Sequence, residues 1–255
     1  MLFDSHAHLD DDKYSEDRDD VIKSLASQGT TFVMNVASDM ITSHQSIELA
    51  EKYSFIYASV GVHPGGTGEM TDDDIKILKE LSKHEKVKAI GEIGLDYYWD
   101  EPDRETQKKW FRRQMQLAME LDMPFIIHDR DAHEDCLNIL KEFDIKKTGG
   151  VMHCFSGSAE MARQIVAMGM MIALGGTVTF KNAAKTVKVA QEIPLEHIII
   201  ETDSPYLTPE PFRGKRNTPG YVKFVAQKIA ELKGVDVDTV AKITVENTKR
   251  LYRID

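Results

Sequence analysis

The sequence predicts an α/β protein of the (β/α)8, TIM-barrel class. Eight short β-rich runs recur along the 255 residues, amphipathic segments separate them, and no G-x-G-x-x-G fingerprint follows the first run. Eight strand–helix repeats in roughly 250 residues are the content such a barrel needs. An open doubly wound sheet would instead place phosphate-binding glycines after its first strand. The hydrophobic share of 42% suits a buried core. No linker, repeat or low-complexity tract divides the chain, so residues 1–255 are expected to form one domain.

The runs are, in order, LFDSHAH (2–8), TTFVMNV (30–36), FIYASVGVH (55–63), VKAIGEIGL (87–95), PFIIHD (124–129), GGVMHCF (149–155), MMIALGG (170–176) and HIIIETD (197–203). Each is rich in β-branched, aromatic or other apolar residues, and polar segments of helical period follow. Several helices carry start and stop signals. Thr71 with Asp74 three residues on reads as a capping box before IKILKEL, and Thr218 with Pro219 reads as an N-cap with proline in the first turn. Gly234 is placed to close the helix that follows, and VDTVAKITVENTKRLYRI reads as one further helix. The glycines of GVHPGGTGE lack the Gly-Lys-Ser/Thr of a P-loop and read as a flexible loop.

Bulk composition excludes some functions. With 32 basic and 42 acidic residues the net charge is -10, which argues against a protein that coats duplex DNA by broad phosphate neutralisation. A small site for anionic substrate ends is compatible with that charge. No run approaches the ~18 apolar residues of a membrane span and no secretory signal opens the chain. A cytoplasmic protein without an obligate protein partner is expected. Cys136 and Cys154 show no zinc-finger spacing and are expected to be core thiols.

Chemistry in a (β/α)8 barrel sits at the C-terminal ends of the strands. His6 and His8 end the first run and share a face, Glu92 lies in the fourth, His128 ends the fifth, His153 ends the sixth and Asp203 ends the eighth. These six metal-ligand types interrupt apolar runs, where a bare carboxylate is costly to bury and a divalent cation would compensate it. A single hydrolytic zinc needs fewer protein ligands than six. The set therefore divides into His6, His8 and Asp203 for one ion and His128 and His153 for another, with Glu92 bridging. Two cations ~3.5 to 4 Å apart can share a water, ease its deprotonation and stabilise attacking and leaving oxygens, which is hydrolytic chemistry. His63 would look onto the same mouth in a substrate-binding role, and Glu201, two residues before Asp203, could orient a ligand or water. His44, His84 and His133 lie in or beside helices and His197 begins the eighth run, so all four are expected to be ordinary surface residues.

With these residues in place, the chain resembles the TatD family of metal-dependent deoxyribonucleases, within the amidohydrolase superfamily. The similar segments are FDSHAHLD, VGVHP, GEIGLDYY, PFIIHDRDA, HCFSGS, GGTVTFKN and ETDSPYLTPEPFRGKRNTP, spread from residue 2 to residue 219. Phe125 departs from the pattern, standing where a smaller aliphatic residue is usual, and local repacking is expected there. The resemblance implies two divalent ions on the same ligands and hydrolysis of DNA phosphodiesters, often as a 3′ to 5′ exonuclease on single-stranded ends. Asp203 and Glu92 would then be the catalytic carboxylates, Asp203 taking up the proton of the attacking water. Lys181 and the loop cations Arg213, Lys215 and Arg216 are expected to contact phosphates, and Tyr97, Tyr98 and Trp99 could stack bases, with at least one of the three expected to be core filler.

Residue types alone leave the substrate open, because fold and metal do not determine it. An amidohydrolase or esterase of small metabolites could use the same ligands. His and carboxylate donors suit zinc, manganese and nickel, and magnesium can serve in turnover.

Overall fold

A computed structural model describes all residues from Met1 to Asp255. The strands are β1 (Leu2–Ala7), β2 (Thr30–Asn35), β3 (Ile56–Val60), β4 (Val87–Asp96), β5 (Phe125–Arg130), β6 (Gly150–Met152), β7 (Met171–Leu174) and β8 (Ile198–Ile200). They follow one another in chain order in one eight-stranded sheet, with α1 (Arg18–Ser24), α2 (Met40–Lys52), α3 (Asp72–Leu81), α4 (Arg104–Glu120), α5 (His133–Leu140), α6 (Ala159–Ala167), α7 (Ala184–Glu192), α8 (Val222–Lys233) and α9 (Val237–Tyr252) between and after them. This is the predicted (β/α)8 class. No helix is long and apolar enough to cross a membrane.

The chain forms two compact units. The first comprises Met1–Asn35, Cys154–Val166 and Met171–Asp255 and holds β1, β2, β7 and β8. Here β1 pairs in parallel with β2, and β7 with β8. Phe3, Val33, Ile172 and Ile198–Ile200 are buried with Val225 and Ile229 of α8 and Val240 and Leu251 of α9. Continuous apolar runs are what a parallel strand covered on both faces requires. Gly234 closes α8 at φ 66°, a left-handed conformation that disfavours a side chain.

The second unit comprises Val36–His153 and Ala167–Met170 and holds β3 to β6, paired in parallel in chain order. Ile90, Ile93, Ile126 and Ile127 are buried with Trp110, Phe111 and Met115 of α4. The capping box before α3 is present: the Thr71 amide and hydroxyl both donate to Asp74, at 2.7 and 2.8 Å. Phe125 is fully buried and lies in register with Gly150 of β6, where any Cβ would overlap its ring. The larger side chain is thus accommodated by a glycine on the neighbouring strand.

Several strands are shorter than their apolar runs. β3 ends at Val60, so His63 caps a 3-10 segment, Pro64–Glu69, and does not lie on a strand. His153 lies one residue past β6 and Asp203 three past β8. Thr218 caps a 3-10 turn, Pro219–Tyr221, that leads into α8. Of the two thiols expected in the core, Cys136 is there, whereas Cys154 is half-buried because it follows β6 in a loop at φ 43°.

Candidate metal centre

In the first unit the metal-ligand types converge at the ends of β1 and β8. His6 is completely buried, while the His8 and Asp203 side chains are 13% and 15% exposed, so the group has a solvent-facing side. Backbone pairing sets their relation: the Asp203 amide donates to the His6 carbonyl at 2.9 Å and the His8 amide donates to the Ser204 carbonyl at 2.8 Å. The Nε2 atoms of His6 and His8 are 3.2 Å apart, and His8 Nε2 lies 3.3 Å from Asp203 Oδ1. Two imidazole nitrogens that face one another beside a carboxylate make a suitable donor set for a divalent cation, because one ion satisfies all three lone pairs.

Buried polar residues hold this group. The Thr202 amide donates to Asp4 Oδ1 at 2.8 Å, and its hydroxyl donates to Asp4 Oδ2, joining β1 to the segment after β8. Burial pushes the Asp4 carboxyl well above the usual carboxylate range, against these hydrogen bonds. Asn35 accepts from the Leu9 amide and donates to Asp10 Oδ1, both at 2.6 Å, which secures the turn after His8.

In the second unit Glu92 is the centre. Its Oε1 lies 2.6 Å from His128 Nδ1 and 2.9 Å from His153 Nε2, and those two nitrogens are 3.3 Å apart. The other side of the His128 ring is engaged by Asp96, whose Oδ2 is 3.1 Å from His128 Nε2. Burial works against the charged form of His128, but the contacts to Asp96 and Glu92 outweigh it and raise its pKa. A carboxylate behind a ligating imidazole fixes the tautomer that leaves the opposite nitrogen free to bind metal. The donor set therefore fits a second divalent cation, with Glu92, His128 and His153 as ligands.

Asp96 and Asp4 were missed by sequence reasoning. Both carried a signal: Asp96 shares a strand face with Glu92 four residues earlier, and Asp4 shares one with His6.

The other predicted residues divide by position. His63 stands edge-on to His128, ring centroids 4.3 Å apart, and its Nδ1 accepts the Gly65 amide at 3.0 Å. Burial and the neighbouring His128 push its pKa down to about 3, so the ring is neutral and Nε2 carries its proton. Glu201 is fully buried and its Oε1 accepts the Cys154 amide at 2.6 Å, which ties it to the loop after β6. Lys181, Arg213 and Lys215 are exposed. Arg216 is engaged: its guanidinium grips Asp17 at 2.6 and 2.8 Å and donates to the Lys13 carbonyl at 2.6 Å. The helix-associated histidines have other partners, His84 facing Glu51 at 3.1 Å and His133 facing Asp129 at 2.7 Å, while His44 is exposed and His197 sits in the 3-10 turn before β8.

Comparison with known proteins follows the same pattern. The family described as TatD related DNase matches residues 3–253. The metal-dependent hydrolase YabD of Bacillus subtilis is 51% identical, each chain covered in full. The metal-dependent hydrolase TatD of Mycobacterium tuberculosis is 35% identical over 98% of this chain and 97% of its own. The crystal structure of the TatD homologue YjjV from Escherichia coli K12 superimposes with a TM-score of 0.94 at 33% identity, covering 100% of this chain and 98% of that one. A family match over nearly every residue and relatives of equal length place the chain: it belongs to the TatD family.

Proposed function

We propose that this protein is a two-metal deoxyribonuclease that shortens single-stranded DNA from its ends. The observation that carries the proposal is the pair of donor groups, His6–His8–Asp203 and Glu92–His128–His153, each with nitrogen and carboxylate atoms at ligand spacing. The family's description as a DNase supplies the substrate class. Divalent cations, when bound, ease deprotonation of a water and neutralise charge on a phosphodiester.

The chain's own residues divide the remaining tasks. Asp203, with its carboxylate partly open to solvent, accepts the proton of the attacking water at Oδ. Glu92, His128 and His153 would hold a cation together, their donor atoms facing one point. His63, neutral and with Nε2 protonated, donates to a phosphate oxygen. Lys181, Lys215 and Arg213, whose guanidinium lies 3.7 Å over the Phe180 ring, contact phosphates of the strand, whereas Arg216 secures its loop to Asp17.

The test is a comparison of substrates. Metal-loaded protein is incubated with end-labelled single-stranded DNA and, separately, with cyclic amides and esters. A ladder of shortened DNA products is expected. Turnover of an amide or ester with intact DNA would replace the proposal with a small-metabolite hydrolase on the same ligands.

A further inference from the structure

The segment after β4 carries two large aromatic residues that the fold leaves outside. Tyr98 is 57% exposed and Trp99 68%, whereas Trp110 is 4% exposed. Tyr97, beside them, has a structural role: its hydroxyl donates to Asp135 at 2.6 Å and the Arg104 guanidinium covers its ring at 4.2 Å. Tyr98 and Trp99 meet edge to face, ring centroids 5.1 Å apart. The guanidinium of Arg130 lies 3.9 Å from the Tyr98 ring centre and 5.9 Å from that of Trp99. The Arg130 guanidinium thus lies over rings. Asp100 is held by Arg104 at 2.9 Å and Asp129 by His133 at 2.7 Å, while Glu101 and Asp131 are exposed.

This surface is fastened to the candidate metal centre at two points. Asp96 Oδ1 accepts the amides of Tyr98 and Trp99 at 3.0 and 3.2 Å, while Oδ2 faces His128 Nε2. Arg130 stands two residues beyond His128 on β5, on the same strand face, and its carbonyl accepts the Tyr97 amide at 2.8 Å. Exposed rings with a stacked cation, anchored through Asp96 beside the candidate metal centre, suit a flat heterocycle attached to an anionic backbone. An exposed tryptophan is otherwise an unfavourable use of a large apolar side chain.

We propose that Tyr98, Trp99 and Arg130 form a stacking shelf for a base of single-stranded DNA whose phosphate lies at the metal centre. Asp96 is the positioning residue that sets the shelf and His128 relative to each other. This rests on the deoxyribonuclease reading. The shelf accepts any base, because every base offers a π-face, so the expected specificity is for unpaired strands over sequence.

The test uses metal-loaded protein with oligodeoxyadenylate and with an abasic strand of the same length. Trp99 and Trp110 are the only tryptophans, so the emission of wild type minus that of Trp99→Ala isolates the signal of Trp99. Oligodeoxyadenylate should quench that emission and the abasic strand should not. Trp99→Ala should raise KM for oligodeoxyadenylate about tenfold with kcat unchanged, as loss of one stacked base implies. Its KM for the abasic strand and its melting temperature should match wild type, and Trp99→Tyr should restore most of the loss. Both strands cleaved with equal KM by wild type and Trp99→Ala, without quenching, would overturn the shelf and leave the nuclease reading intact. Neither strand cleaved or bound after verified metal loading would overturn the nuclease reading and the shelf with it.

Discussion

Glu92 and Asp203 belong to different donor groups, and their substitutions separate chemistry from folding. Glu92→Gln and Asp203→Asn keep side-chain size but remove the charge that a cation needs. Each should reduce hydrolysis by about 100-fold or more, within the range for loss of a group that moves a proton or holds a metal. Circular dichroism should show the wild-type fold, because the apolar core is built from other positions. Activity near wild type in either variant would remove that residue from the site. Asp96 makes a subtler case, since it touches no candidate metal position and acts through the His128 ring. Asp96→Asn should weaken divalent metal binding about 10- to 100-fold, measured by calorimetry, with the melting temperature of the metal-free protein little changed. Unaltered metal affinity would mean that Asp96 serves only the loop that follows it.

At the scale of elements, the β5–β6 pair shows how a strand position depends on its neighbour. Phe125 occupies space that Gly150 leaves by having no side chain. Gly150→Ala should therefore destabilise the protein by about 1–3 kcal/mol through overpacking, read from the midpoint of denaturant unfolding. Adding Phe125→Leu should recover part of that loss, as expected for two residues in contact. Equal losses with and without the second change would show that Gly150 matters for its backbone and not for the ring. Strand identity and order were legible in the sequence, since eight apolar runs became eight strands. Strand ends were not. His63, His153 and Asp203 continue apolar runs, yet each stands beyond the end of its strand. Backbone geometry accounts for part of this: Pro64 lacks an amide hydrogen for a ladder, and Asp203 adopts φ 55°, which leaves the extended region. The metal-ligand types were legible because His, Glu and Asp interrupt apolar runs. Their supports were less so, because Asp4 and Asp96 look like further polar residues until their partners Thr202 and His128 are brought near in space.

For the whole molecule, the acidic charge of -10 and the exposed cations Lys181, Arg213 and Lys215 are compatible with the proposed local contact to DNA and not with a coating of it. The central claim is that hydrolysis depends on cations held by His6, His8 and Asp203 and by Glu92, His128 and His153. Metal add-back tests it most directly. The protein is stripped with a chelator, its metal content is verified, and cleavage of end-labelled single-stranded DNA is followed as divalent metal is returned stepwise. Stripped protein should be inactive, and activity should rise to a plateau near two equivalents per chain. Full cleavage by verified metal-free protein, or no cleavage with both equivalents bound, would contradict the account.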